Sequence, residues 1–102
     1  MNVTKIVNLL HRSIIKGNYD FVPTTKNRNS RRKYGLTILD LEDFLLTINE
    51  SDLYKGPDED RDCPGEYLYI FKKEIIEGVS FYIKVKEDNN RIKIISCHED
   101  EF

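Results

Sequence analysis

His98 is one of two histidines in the chain, and an imidazole of ordinary pKa, about 6.5, gives or takes a proton near neutrality. Tyr82 and Lys84 alternate with Phe81, Ile83 and Val85, so in a strand the phenol and the amine share one face. Lys55 precedes Gly56, where a backbone without a side chain can come close to a phosphate. Lys26, Arg28, Arg31, Arg32 and Lys33 follow one another with no acid between them, and Tyr34 closes the run. These types support proton transfer beside a bound phosphate. His98 and Tyr82 are the candidate proton carriers, and Lys55 and Lys84 the cations at the reacting centre. Arg31, Arg32 and Lys33 are candidate contacts to an extended polyanion, with Tyr34 as a face on which a base could stack.

Each residue also has a plainer reading. His98 adjoins Glu99, Asp100 and Glu101, as a solvated tail residue would. Lys84 and Lys86 suit the polar face of a half-solvated strand, Lys55 by itself is a surface lysine, and Tyr82 suits a packed aromatic whose hydroxyl reaches water. A basic run is commonly a solvated face. Other chemistries find no pattern. His11, Cys63, Cys97 and His98 lack zinc-ligand spacing, there is no phosphate-binding glycine loop, and neither cysteine has triad partners nearby in sequence, so no metal and no cofactor are expected.

The elements that must position these groups follow from size and periodicity. A chain of 102 residues closes one core, burying roughly 60–70% of the unfolded surface, so a single domain over 1–102 is expected. Its 39% apolar and 33% charged residues suit a small domain with much surface, and six tyrosines and five phenylalanines argue against disorder. A net charge of −2 argues against a protein that coats nucleic acid nonspecifically, although the basic run 26–33 and the acidic clusters 58–62 and 99–101 segregate the charge. No segment has the apolar length of a membrane span or the form of a signal peptide. The expectation is a cytoplasmic protein without a membrane partner, whose two cysteines are reduced thiols.

Apolar residues at 3, 6, 7, 10, 14 and 15 predict a helix over 3–16 that stops at Gly17. Residues 19–22 predict a short extended piece. Pro23 excludes a central strand there and leaves Thr24 or Thr25 free to cap a helix. Residues 25–34 are too polar for a core helix, and a solvated helix and a loop remain open. Thr37 with Asp40 resembles a capping box for a helix near 38–48. Ser51 and Asp52 open a turn that ends at Gly56-Pro57, and a long charged loop is expected to follow as far as Gly65. The period then becomes two, predicting strands near 66–73, 79–86 and 91–97. Helices followed by an antiparallel meander make an α+β fold, with N-terminal helices packed on a C-terminal, mainly antiparallel sheet. Tyr67, Tyr69 and Phe71 fit its core better than a stacking platform.

In the last hairpin the apolar pattern favours a two-residue turn at 88–89, which opposes Lys84 to Lys93 and Tyr82 to Ile95 and points His98 toward the core. A three-residue turn would place His98 opposite Ser80 on the Tyr82 face, and a bulge near Ser96-Cys97 would also turn it from the core.

The segment 36–55, ending in Ser51-Asp52-Leu53-Tyr54-Lys55, resembles the helix and S-D-F-Y-K segment of the motility quorum-sensing regulator (MqsR) toxins. Phe81-Tyr82-Ile83-Lys84 is similar to that family's aromatic–aliphatic–Lys strand. Ile94-Ile95-Ser96-Cys97-His98 stands where the family ends in V-x-S-F-K or S-F-H, and Thr24-Thr25 echoes its early threonine pair. The resemblance covers roughly residues 20–98, with three separated motifs in order. It implies a RelE-like toxin fold, metal-free cleavage of messenger RNA, and a cognate antitoxin encoded beside the gene. It also implies that Lys55, Tyr82 and the position of His98 are catalytic. Two departures stand out: Tyr67-Leu68-Tyr69 lacks the glutamine of the family's Trp-Gln-Asp, and the loop 56–66 is more acidic. Cleavage that depends on the ribosome, as in the wider RelE-like group, is a variant of this reading. A noncatalytic inhibitor whose acidic loop 58–62 mimics nucleic acid is the competing one.

Overall fold

The computed structural model describes residues 2–100; Glu101 of the acidic run 99–101 lies outside them. Helix α1 spans Val3–Lys16, entered through the Asn2 side chain, which accepts from the Lys5 N–H, and left through Gly17 at φ 66°. Its buried stripe runs through Ile6, Leu9, Leu10, Ser13 and Ile14, whereas Ile15 is 75% exposed. The spacing therefore predicted the helix but assigned Ile15 to the wrong face: one residue past Ile14 is about 100° round the helix.

Strand β1 (Tyr19–Phe21) leads to helix α2 (Thr25–Lys33) and helix α3 (Ile38–Leu46). Thr24 caps α2 by accepting from the Asn27 N–H. At α3 the reciprocal Thr37–Asp40 box is complete, with both bonds formed. A 3-10 turn at Glu50–Asp52 is followed by β2 (Leu53–Glu59), β3 (Tyr67–Ile76), β4 (Val79–Asp88) and β5 (Arg91–Glu99). The sheet order is β1-β5-β4-β3-β2, with β1 parallel to β5 and the other neighbours antiparallel. Three helices on a five-stranded, mostly antiparallel sheet make this an α+β fold. No helix among the described residues is long and apolar enough to cross a membrane.

One sheet face joins α1 and α3 in a core that includes Leu10, Leu45, Phe71, Phe81, Ile83, Val85 and Ile94. Phe44 meets Phe81 edge-on at 6.0 Å. Tyr69 and Phe71 are core residues, as the alternation suggested, while Tyr67 is exposed. Cys97 is buried in the core and Cys63 is half-buried, both as free thiols; burial pushes the Cys97 thiol up to about 12, so it packs and does not react.

The expected turn and loop over 51–65 are corrected. Leu53–Glu59 is a strand, and the connection to β3 shrinks to residues 60–66. β2 is an edge strand, where Pro57 can lack an N–H without breaking a ladder bond, and register shifts flank Lys55 and Asp58. Gly56 lies between them at φ 118°, and a Cβ there would stand 2.6 Å from the Leu68 carbonyl oxygen. Gly56→Ala should therefore cost roughly 1–3 kcal/mol and loosen β2, which urea denaturation and the amide exchange of β2 would register.

A candidate active-site cleft on the outer sheet face

His98 owes its position to α2 and one bulge. The β4–β5 turn sits on Asn89 and Asn90, at φ 53° and 62°, not at 88–89. Asparagine tolerates this left-handed backbone, and two such residues suit a tight hairpin turn. Asp88 then pairs with Arg91 and Val85 with Ile94. The register shifts after Val85, leaving Ile95 unpaired, and Lys84 opposes Ser96 while Tyr82 opposes His98. The expected pairings of Lys84 with Lys93 and Tyr82 with Ile95 are therefore not formed. The bulge falls one residue before Ser96-Cys97 and restores Cys97 to the core while turning His98 outward.

Side chains of α2 hold the bulged strand. Asn27, 3% exposed, donates through Nδ2 to the Ile95 carbonyl at 3.1 Å and the Val22 carbonyl at 2.8 Å. Its Oδ1 accepts from the Cys97 N–H at 2.8 Å. Ser30 Oγ accepts from the Glu99 N–H at 2.9 Å. Where β1 ends, two polar residues one helical turn apart thus replace a neighbouring strand along the edge of β5. That resolves the ambiguous stretch 25–34: it is a helix whose buried face is polar.

The Tyr82 and His98 rings stack at 5.5 Å between centroids, 16° from parallel. Both line a cleft of about 610 Å³ with Thr24, Thr25 and Lys26 of the α2 start and with Tyr54, Lys72, Lys84, Ser96 and Asp100. His98 Nδ1 lies 2.9 Å from the Glu99 carbonyl oxygen. A carbonyl can only accept, so the neutral ring carries its proton on Nδ1 and leaves the Nε2 lone pair for chemistry. Burial raises the Tyr82 pKa, with partial offset from the charges of Lys55 and Lys72, so the phenol keeps its proton at neutral pH.

Lys72 opposes Tyr82 on β3. Its ammonium sits 3.8 Å from the Tyr54 ring centroid and 3.1 Å from the Asp100 carboxylate. Lys26 and Lys84 form no ion pair with the described residues, which leaves them the cations best able to meet an anionic ligand. Among the described residues no group of three or more His, Cys, Asp or Glu side chains is placed to hold a metal ion. The chain matches no family model and no curated protein.

The other candidates lie elsewhere. Lys55 lines an adjoining hollow of about 610 Å³ that shares Lys84 with the cleft, and its amine lies 3.4 Å from Asp58. It reaches the stack only through its field on Tyr82. Arg31 lines a separate hollow beside Phe21 and Ile38, and Lys33 is held by Glu99 at 2.8 Å. Arg31, Arg32 and Lys33 do not line the cleft, because α2 presents its N-terminal end there and they occupy its last turn. Tyr34 bonds to Glu99 and packs against Phe81, so it is committed to the fold. Lys72, Tyr54 and Asp100 escape the sequence pattern as site residues, and Lys26 is the member of the basic run 26–33 that reaches the cleft. The alternation that places Tyr69 and Phe71 in the core carried a usable signal, since it puts Lys72 on the opposite face.

The acidic loop is tied down internally. Lys86, 7% exposed, binds Asp60 at 3.0 Å and Glu66 at 3.1 Å. Its hydrogen bond to Asp60 raises the Lys86 pKa, against the effect of burial, and holds the Asp60 carboxyl below its usual range. That stabilisation is present above the ordinary carboxylate pKa and is lost as pH falls through the depressed one. Lys86→Met should free the loop even at neutral pH, with the Cys63 and Glu66 amides exchanging about tenfold faster by NMR; unchanged exchange would count against the clamp.

Proposed function

We propose that this protein is a metal-free endoribonuclease of the MqsR-like, RelE-like kind, the toxin of a toxin–antitoxin pair, acting on messenger RNA in the cytoplasm and neutralised by an antitoxin encoded beside it. The observation that carries the reading is the stacked Tyr82–His98 pair inside a lysine-bearing cleft. Cleavage by the RNA's own 2′-hydroxyl needs a base for that hydroxyl, cations for the developing phosphorane charge and an acid for the departing 5′-oxygen. His98 Nε2 takes the 2′ proton. The 2′-oxygen attacks phosphorus, and the P–O5′ bond breaks as Tyr82 gives its proton to the leaving oxygen. Lys84 and Lys26 balance the phosphorane charge. Lys55 and Lys72 favour the phenolate that Tyr82 becomes, which makes it a better acid.

The competing inhibitor reading draws less support, since Asp58 and Asp60 of the acidic loop are spent on Lys55 and Lys86. Induction in bacteria tests the proposal. Wild type should arrest growth and shorten transcripts, and His98→Ala and Tyr82→Phe should do neither. Purified protein that cuts only translated RNA would assign the ribosome a positioning role, while a wild type that leaves growth and transcripts untouched would refute the toxin reading.

A further inference from the structure

We propose that the hollow where β1, α2 and α3 meet is a docking site for an acidic peptide segment of a partner protein, with one apolar anchor between carboxylates. The hollow holds about 160 Å³, with Phe21, Pro23, Ile38 and Leu41 contributing apolar walls and Arg28 and Arg31 standing among its lining residues. That volume accepts a benzene-sized group. No acidic side chain lines it, and Arg28, Arg31 and Arg32 form no ion pair with the described residues.

Beside it, α3 begins with Ile38 44% and Leu39 67% exposed, apolar surface that the fold itself leaves uncovered. An apolar floor beside unspent guanidinium forks fits a peptide whose Leu or Phe enters the hollow while its carboxylates pair bidentately with arginine. A nucleic-acid backbone would satisfy the arginines but would leave the apolar walls uncovered. The basic run 26–33 thus divides its work: Lys26 faces the cleft, Lys33 holds β5, and Arg28 and Arg31 face the hollow. The proposal does not depend on the cleft's chemistry.

Fluorescence anisotropy of a labelled peptide Glu-Glu-Leu-Phe-Glu-Glu with the full chain tests it, alongside its lysine counterpart Lys-Lys-Leu-Phe-Lys-Lys. Wild type should bind the acidic peptide at least about tenfold more tightly than the basic one. The Arg28→Glu, Arg31→Glu double variant should reverse that preference, and Ile38→Asp should lose the acidic peptide. Circular dichroism confirms the fold of each variant. No binding of the acidic peptide, equal binding of both peptides, or equal affinity in the charge-reversed variant would overturn the proposal. So would a short RNA that displaces the acidic peptide and loses its own affinity in the same double variant, which would reassign the arginines to nucleic acid.

Discussion

His98→Ala should slow RNA cleavage by about 10²–10⁴-fold, the usual contribution of a positioned proton carrier, while the unfolding midpoint barely moves. The ring is half-buried on the outer sheet face, and its contacts are the Tyr82 stack and the bond to the Glu99 carbonyl, so little of the core depends on it. Tyr82→Phe keeps the stack and removes only the proton, and a loss of about 10²-fold or more is expected from it. The pH profile separates donor from spectator. Burial raises the Tyr82 pKa, so activity that needs the protonated phenol is retained through neutrality and lost only as pH rises beyond an ordinary tyrosine's pKa of about 10. Removing Lys55 or Lys72 takes away a charge that favours the phenolate and should move that alkaline limb higher still. Single-turnover rates across the alkaline range are the check. A limb that does not respond to either lysine would remove Tyr82 from the acid role.

Asn27→Leu should destabilise the fold by about 3 kcal/mol, lowering the melting temperature by roughly 15 °C, which is large for a residue in so polar a helix. The substitution leaves the Ile95 carbonyl and the Cys97 N–H without their partner and takes from the Val22 carbonyl one of its two donors, the Thr24 N–H remaining, and unmet buried groups cost more than the bonds themselves gained. Ser30→Ala removes one such bond and should cost about 1 kcal/mol. The second consequence is functional. Asn27 is a positioning residue, because it fixes the bulge that turns His98 toward Tyr82. Below its melting temperature Asn27→Leu should retain the core yet lose the ring-stacking shift of the His98 protons by NMR, with cleavage falling at least about tenfold. Full activity with an unshifted His98 spectrum would show that the bulge needs no such anchor.

What the residue pattern revealed, and what it concealed, follows the range of the interactions involved. α1 with its Gly17 stop and α3 with its Thr37–Asp40 box are governed by neighbours three or four positions apart, and both were readable. The core face of β4 was equally plain from alternation. α2 was ambiguous because its buried residues are Asn27 and Ser30, so no apolar stripe marks it. The sequence of β2 reads as a turn and loop because glycine, proline and acids signal an irregular segment, and only its place at the sheet edge makes them compatible with a strand. The face of His98 was settled by Asn27, 70 residues from the Cys97 amide it accepts from. No local period records a contact of that range. The residues flagged for chemistry divide the same way: Tyr82, Lys84 and His98 come together through strand register, whereas Lys55 is drawn aside by Asp58 and Arg31 by the fold of α2.

The chemistry of the RNA ends tests the central claim most directly. Purified protein is incubated with RNA in the presence of a strong chelator, as free RNA and as a message under translation, and the fragments are analysed by mass spectrometry. In-line attack by the neighbouring hydroxyl predicts a 2′,3′-cyclic phosphate on one fragment and a 5′-hydroxyl on the other. Both should vanish with His98→Ala or with a 2′-deoxy sugar at the cut nucleotide. Fragments ending in 3′-hydroxyl and 5′-phosphate, or RNA left intact in both forms, would contradict it.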